Sequence, residues 1–237
     1  MNMKLIYIYH SGFALVGDDI TIILDYWKDP AGVIPGLLRN KGSIYVMASH
    51  FHPDHFVPEI LKWKEMRPDI KYILSKDILR HHRAQKEDAL FMAKGAEYKD
   101  DKISVQAFGS TDIGVSWYIE TEGKRIFHAG DLNNWHWADE CTKEESMKFE
   151  MAYLGELKDI CKVVKTLDVA MFPVDSRLGS EYMRGPRQFI DSVPTKLFAP
   201  MHFSANPNDM ANAFEPVCRE RNVDFFCINK EGDSIDF

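Results

Sequence analysis

Residues 43–55, SIYVMASHFHPDH, decide how this chain is read. The apolar run from Ser43 to Ala48 has the length and composition of a buried strand. It leads directly into a loop carrying His50, His52, Asp54 and His55. Three imidazoles and a carboxylate so close together form a donor set suited to a divalent transition metal. Alternate residues leaving a strand point to one side, so His50 and His52 suit one ion. Asp54 and His55, a step further round the turn, face a second.

Upstream of this stretch, Leu5–Tyr9, Phe13–Val16 and Ile20–Leu24 are short β-rich runs separated by Ser-Gly and Gly-Asp-Asp turns, the pattern of a meander. Downstream, strands and helices alternate. A helix is expected over Pro58–Met66, with proline in its first turn, then a strand over Lys71–Leu74 and a charged helix from Lys76 to about Lys86. Strands return between Lys102 and Phe127, with a turn at Glu122-Gly123. Across Lys143–Thr166, Met147, Met151, Leu154, Leu157, Cys161 and Val164 recur at three- and four-residue spacing, which predicts a long amphipathic helix. The remainder reads as strand Asp168–Phe172, helix Pro186–Asp191, strand Lys196–Ala199, helix Asn208–Glu220 and strand Asp224–Ile228.

Strands followed by helices, twice over, predict an α+β architecture of two mixed sheets packed face to face with helices on both outer faces. No linker, repeat or low-complexity stretch divides the chain, so residues 1–237 are expected to form one domain. The segments SIYVMASH, RIFHAGD, VAMFPVD and TKLFAPMH each run from an apolar strand into a polar or histidine-bearing residue at its C-terminal end. Groups distant in the chain can therefore converge on one rim, where α/β proteins commonly place their sites.

The order of HxHxDH after a strand, then HAGD (His128 to Asp131), then PMH (Pro200 to His202) resembles the metallo-β-lactamase fold superfamily. Within it, His10-Ser11-Gly12-Phe13 and the compact length are similar to the branch of the ascorbate-6-phosphate lactonases and related small hydrolases. The resemblance implies an αββα four-layer sandwich and a metal-dependent hydrolase. It makes His50 and His52 ligands of a first metal, Asp54, His55 and His202 ligands of a second, and Asp131 the bridge between them. The chemistry agrees, since Asp131 and His202 each follow an apolar strand, where a buried polar group without a partner is costly. One or two divalent ions are expected, zinc by default, with manganese, iron, nickel or cobalt as alternatives.

The chain departs from the superfamily at one point. A third histidine for the first metal is normally supplied before the strand that here reads Gly114–Ile119, and this chain has Gly109-Ser110-Thr111-Asp112 instead. Asp112 replaces the imidazole, His136 swings in from the Asp131 loop, or a single ion is held. Asp54 is expected to orient the attacking water, and His136 to give a proton to the leaving group. His10 is either a polar group beside the site or a structural histidine. Asp25 and Asp175 resemble carboxylates that receive a ligand imidazole's N–H. Trp135 and Trp137 either wall a pocket or cover the core edge. Arg177, Arg184 and Arg187 form a loop that is either solvated or binds a phosphate or carboxylate. His81 and His82 are adjacent on a charged helix and are expected to be solvated.

Composition narrows the partners. The 237 residues carry 29 basic and 36 acidic side chains, a net charge of −7, without a basic block. That disfavours nucleic acid and anionic membranes and leaves a small-molecule substrate, with homo-oligomerisation open. Four widely spaced cysteines read as reduced thiols, and no apolar stretch is long enough for a membrane span, so the expected compartment is the cytoplasm. The rival reading is a metal-binding or sensory protein of the same fold that lost hydrolysis with the missing histidine. A redox di-iron protein is disfavoured because no flavin-binding domain is present.

Overall fold

The computed structural model describes residues 2–203 and 209–237. Its first sheet contains β1 (Lys4–Tyr9), β2 (Gly12–Val16), β3 (Ile20–Leu24), β4 (Ser43–Ala48), β5 (Lys71–Ser75) and β6 (Leu90–Met92). The second contains β7 (Glu97–Lys99), β8 (Ser104–Phe108), β9 (Ser116–Thr121), β10 (Lys124–His128), β11 (Leu167–Pro173), β12 (Thr195–Met201) and β13 (Asp224–Phe225). A last strand, β14 (Ser234–Asp236), returns to the first sheet beside β1. Strand order is β14-β1-β2-β3-β4-β5-β6 in one sheet and β13-β12-β11-β10-β9-β8-β7 in the other. Each sheet is antiparallel on one side, where hairpins link neighbours, and parallel on the other.

Parallel neighbours need crossover connections, and these supply the outer layers. Helix α1 (Ile34–Leu37), the 3₁₀ segment Pro58–Glu65 and α2 (Lys76–Arg80) lie on the first sheet's side. Helices α3 (Lys143–Val163), α4 (Arg184–Ser192), α5 (Asp209–Asn212) and α6 (Glu215–Arg219) belong to the second. Strand alternation explains the layering. In β4, Tyr45 and Met47 join the core shared with the second sheet, while Ile44, Val46 and Ala48 pack outward with Ile60, Trp63 and Ile78. The expected two-sheet α+β sandwich is what the chain forms.

The Glu122-Gly123 turn between β9 and β10 has positive φ at both residues (45° and 74°), the conformation of a tight hairpin turn. The charged helix expected to about Lys86 ends at Arg80, and His81 and His82 are exposed beyond it. The single helix expected over Asn208–Glu220 is two short ones among the described residues. Pro216 has no N–H for an i−4 bond, so α6 starts afresh beside it; Asn208 lies outside the described residues.

Helix α3 forms over the expected span but turns differently. Tyr153, Leu157 and Ile160 are its buried apolar residues, whereas Met147, Met151 and Leu154 are exposed. The Tyr153 hydroxyl donates to the Gly185 carbonyl at 2.8 Å, which orients the helix on α4. Thr142 and Glu145 close a reciprocal capping box at its start.

Two stability predictions follow from these contacts. Gly155 lies inside α3 with open space where a Cβ would go, so Gly155→Ala should raise stability by about 1 kcal/mol in chemical denaturation. Asp100 accepts from the Tyr45 and Tyr98 hydroxyls (2.7 Å each), Lys71 (2.8 Å) and the Lys102 and Ile103 amides (2.9 and 3.0 Å). Burial opposes its ionisation, but Lys71 and these donors outweigh burial and hold the carboxyl below its usual range. Asp100→Ala should cost about 1–2 kcal/mol near neutral pH. A depressed carboxylate stabilises the fold above its unfolded pKa, so the difference from wild type should shrink as pH falls below about 4.

Candidate metal centre

The C-terminal ends of β1, β3, β4, β10, β11 and β12 point to one rim and carry His10, Asp25, Ser49-His50, Asp131, Asp175 and His202. Two glycines let the sheets close there. A Cβ on Gly114 (φ 80°) would sit 2.1 Å from the Ser49 carbonyl. One on Gly130 (φ 54°) would sit 2.8 Å from both Ser49 Cβ and the Val115 carbonyl. Bare backbone at both positions lets loops of the second sheet pack onto the end of β4, where the Val115 amide donates to the Ser49 carbonyl at 3.0 Å.

The imidazoles are held by their outer nitrogens. His55 Nδ1 donates to Asp25 Oδ2 at 2.7 Å, and His202 Nδ1 donates to Asp175 Oδ2 at 2.9 Å. His10 Nδ1 donates to the Phe203 carbonyl at 3.2 Å. Ser49 Oγ gives its proton to Asp25 Oδ2 at 2.6 Å, so at 3.0 Å it accepts from His50 Nδ1. Carbonyls and carboxylates only accept, so in each ring Nδ1 carries the proton and Nε2 of the neutral ring keeps a lone pair. Asp25 is fully buried and also accepts from the Ser49 amide at 2.7 Å, tying the strand end to the ring it orients.

The Nε2 atoms converge around Asp131. His55 Nε2 lies 3.1 Å and His202 Nε2 3.2 Å from Asp131 Oδ1, and His50 Nε2 lies 3.4 Å from Oδ2. Three sets bring their ligand atoms within 4.8 Å of one another: His50, His52 and Asp131; His10, Asp54, His55 and His202; and Asp25, His50 and His55. In the last set Asp25 is already committed to holding the imidazoles. His10 Nε2, His55 Nε2 and Asp131 Oδ1 are buried with no hydrogen-bond partner among the described residues.

Electrostatics mark the centre as short of positive charge. Burial would depress His55, but Asp131 and the bond to Asp25 outweigh it and raise the imidazole well above its ordinary value. His202 is likewise depressed by burial yet pushed up to about 9 by Asp131 and Asp175. Burial would raise Asp131, but His55 and His202 hold it well below the usual carboxylate range. Burial, with His202 and His55 nearby, pushes His10 down to about 4. Burial and His55 push His50 down to about 3. Asp131 thus draws protons onto two rings whose lone pairs already face it. A divalent cation would satisfy the same demand, so the orphaned atoms and the donor set fit a metal.

A cleft of about 320 Å³ opens onto this cluster, lined by His52, Asp54, Thr111, Asp112, Asp131, Trp135, Trp137, Phe149, Arg177 and His202. The structure therefore brings together His50, His52, Asp54, His55, Asp131 and His202. Asp112 lines the same cleft with Oδ2 3.9 Å from His52 Nδ1, outside the tight sets. His136 is the correction. Its Nδ1 accepts from the Ala138 amide at 3.0 Å and its Nε2 donates to the Glu181 carbonyl at 3.1 Å, so both nitrogens are occupied away from the cleft. The flanking Trp135 and Trp137 face the cleft, and Trp135 Nε1 donates to the Asp131 carbonyl at 2.8 Å. His128 is structural, bridging the Ser11 carbonyl and the Gly130 amide. Arg177 reaches the cleft while pairing with Asp175, whereas Arg184 lies near Glu150 and Glu181. His10, left equivocal by the sequence, lies inside the cluster. Its one sequence signal is a histidine ending the first strand.

A family profile described as "Beta-lactamase superfamily domain" matches residues 4–202. The chain belongs to that family. Among curated proteins, it is 23% identical over 214 residues to a UPF0173 metal-dependent hydrolase of Korarchaeum cryptofilum, covering 86% of this chain and 85% of the relative. Among solved structures, Igni18, a metallo hydrolase of the archaeon Ignicoccus hospitalis, superposes with a TM-score of 0.69 at 18% identity, covering 100% of this chain and 99% of that one. CmlA, a diiron β-hydroxylase of Streptomyces venezuelae, gives 0.65 at 12% identity, with 99% of this chain matching 54% of that one. These structural likenesses establish the metallo-β-lactamase fold. The narrower likeness to the ascorbate-6-phosphate lactonases rests on the sequence motifs.

Because a Cβ on Gly130 meets the second sheet's backbone as well as Ser49, Gly130→Ala should destabilise the protein by about 1–3 kcal/mol. Gly95 has a comparable φ of 84° but open space around its Cβ position. Gly95→Ala should therefore cost less, and equal losses in denaturation would rule out the steric component at Gly130.

Proposed function

We propose that residues 1–237 act as one metal-dependent hydrolase domain that cleaves an ester, lactone, amide or phosphodiester bond of a small substrate bound in the cleft. One observation carries this reading: four buried imidazoles have the Nδ1 proton fixed outward on acceptors, so that Nε2 of His50, His55 and His202 faces the Asp131 carboxylate and Nε2 of His10 faces Asp54. No packing requirement explains that arrangement, and a metal does. The names of relatives in the same family, metal-dependent hydrolases, point the same way.

His50, His52 and Asp131 would hold one divalent ion; Asp54, His55 and His202, sharing Asp131, would hold another. Zinc is the default, and manganese, iron, nickel or cobalt fit the same donors. When bound, such an ion supplies a Lewis acid and lowers the pKa of water to about 7.

The chain's own residues do the rest. Asp25 and Asp175 keep the His55 and His202 rings in the tautomer that leaves Nε2 free. Asp54, partly exposed at the cleft, accepts a hydrogen bond from the attacking water and receives its proton at a carboxylate oxygen. Arg177 is placed to neutralise an anionic substrate group or a developing negative charge. Trp135, Trp137 and Phe149 form an apolar wall that excludes water. Asp112 stands where the superfamily's third histidine would be and supplies an oxygen beside His52.

Asp131→Ala should lose most bound metal, measured by elemental mass spectrometry, and lower turnover of generic ester, lactone and phosphodiester substrates by at least about 100-fold. Chelation of the wild type should abolish turnover and added metal should restore it. Wild-type protein that binds metal stoichiometrically but turns over none of these substrates would favour the sensory reading instead. Full metal content and activity in Asp131→Ala would refute the assignment.

A further inference from the structure

His10 has the geometry of a ligand. It directly follows β1 in a left-handed backbone conformation (φ 56°), uncommon for a residue other than glycine. Two hydrogen bonds hold it there: its amide donates to the Tyr7 hydroxyl at 2.8 Å, and its carbonyl accepts from the His202 amide at 3.2 Å. The side chain is 3% exposed.

The proton on Nδ1 is committed to the Phe203 carbonyl, so Nε2 presents a lone pair. That atom is buried, has no hydrogen-bond partner among the described residues, and lies 3.4 Å from Asp54 Oδ2. A lone pair facing a carboxylate oxygen is repulsive unless a cation lies between them. Structural roles for a buried histidine use both ring nitrogens, as His128 and His136 do here. His10 uses one and aims the other at Asp54, His55 and His202.

We propose that His10 is a direct ligand of the ion held by Asp54, His55 and His202, and that it makes this the tighter of the two metal positions. The inference rests on the metal-centre reading above. Asp54, His55, His202 and the shared Asp131 already give that position the four protein ligands of a closed site, and His10 supplies a fifth. The other position has His50, His52 and the shared Asp131, with Asp112 at a distance. Closed sites retain their ions, whereas three protein ligands leave a coordination position open for water or substrate. The first metal lacks the superfamily's third histidine, while the second gains one from β1. The exchangeable, substrate-facing ion therefore belongs at His50 and His52.

The test is metal retention, read without turnover. His10→Asn suits the left-handed backbone and keeps an amide donor for the Phe203 carbonyl, but removes the Nε2 ligand. Wild type and variant are loaded with zinc or cobalt(II) and dialysed against graded chelator. Ions per chain are then counted by mass spectrometry, the cobalt absorption spectrum is recorded, and far-UV circular dichroism checks the fold.

Wild type should retain one ion well beyond the other. His10→Asn should weaken that ion by more than the roughly 10–100-fold typical of losing a ligand's hydrogen-bond partner, and its cobalt spectrum should change. A folded His10→Asn that holds both ions as wild type does overturns the His10 assignment. If His10→Asn fails to fold, His10→Gln decides by the same comparison. Wild-type protein that takes up no ion overturns the metal-centre reading itself, an outcome distinct from an unaltered variant.

Discussion

The Asp131 carboxylate is the constraint around which the rest of the site is arranged. It is buried between two sheets with imidazoles of His50, His55 and His202 around it. A buried charge of this kind is costly unless it is paired, and each partner ring is itself held. Asp25 serves His55 directly and His50 through Ser49, and Asp175 serves His202. The fold delivers these groups by aligning the ends of strands from both sheets on one rim. The Ser49 to Val115 and His10 to His202 backbone bonds then fasten the sheets together there.

Backbone strain concentrates at the same rim. His10, Asp25, Trp137 and His202 all have positive φ without being glycine. Such conformations cost of order 1–3 kcal/mol each and persist only where the surroundings over-determine them. Here they are surrounded by the apolar core shared by the two sheets and by the hydrogen bonds that hold the rings. Three of the four directly follow strand ends, and from there His10 reaches Asp54, Asp25 reaches Ser49 and His55, and His202 reaches Asp131. This ties the left-handed residues to the metal chemistry proposed for the site.

The Trp135-His136-Trp137 run shows how a local register sorts residues between roles. Both tryptophans reach the cleft, while His136 is anchored to Glu181 and Ala138 on the other side. In α3, the Met147, Met151 and Leu154 stripe matches helical spacing as well as the Tyr153, Leu157 and Ile160 stripe does. The bond from Tyr153 to Gly185 and packing near α4 select the second. Periodicity identifies an amphipathic helix; it does not choose between two apolar faces.

Much of this protein was legible in the sequence because its signals are local. Ser43–Ala48 reads as a strand from its apolar run, and the imidazoles and carboxylate of residues 50–55 follow it within one loop. Glu122-Gly123 carries its turn in its chemistry, and the order of HAGD and PMH points to the superfamily. The short strands β6, β7 and β14 leave no such signal, because two or three residues show no periodicity and are held by their neighbours. Direction and distance were likewise decided in three dimensions. Only the tertiary structure turns His136 out of the cleft, puts Asp112 beside His52, and brings His10 to Asp54. The sequence by itself determined which donor groups the chain has and which strands carry them. The packing of one sheet on the other determined which lone pairs meet, because that depends on contacts between residues 44 to 81 positions apart, carried by different strands.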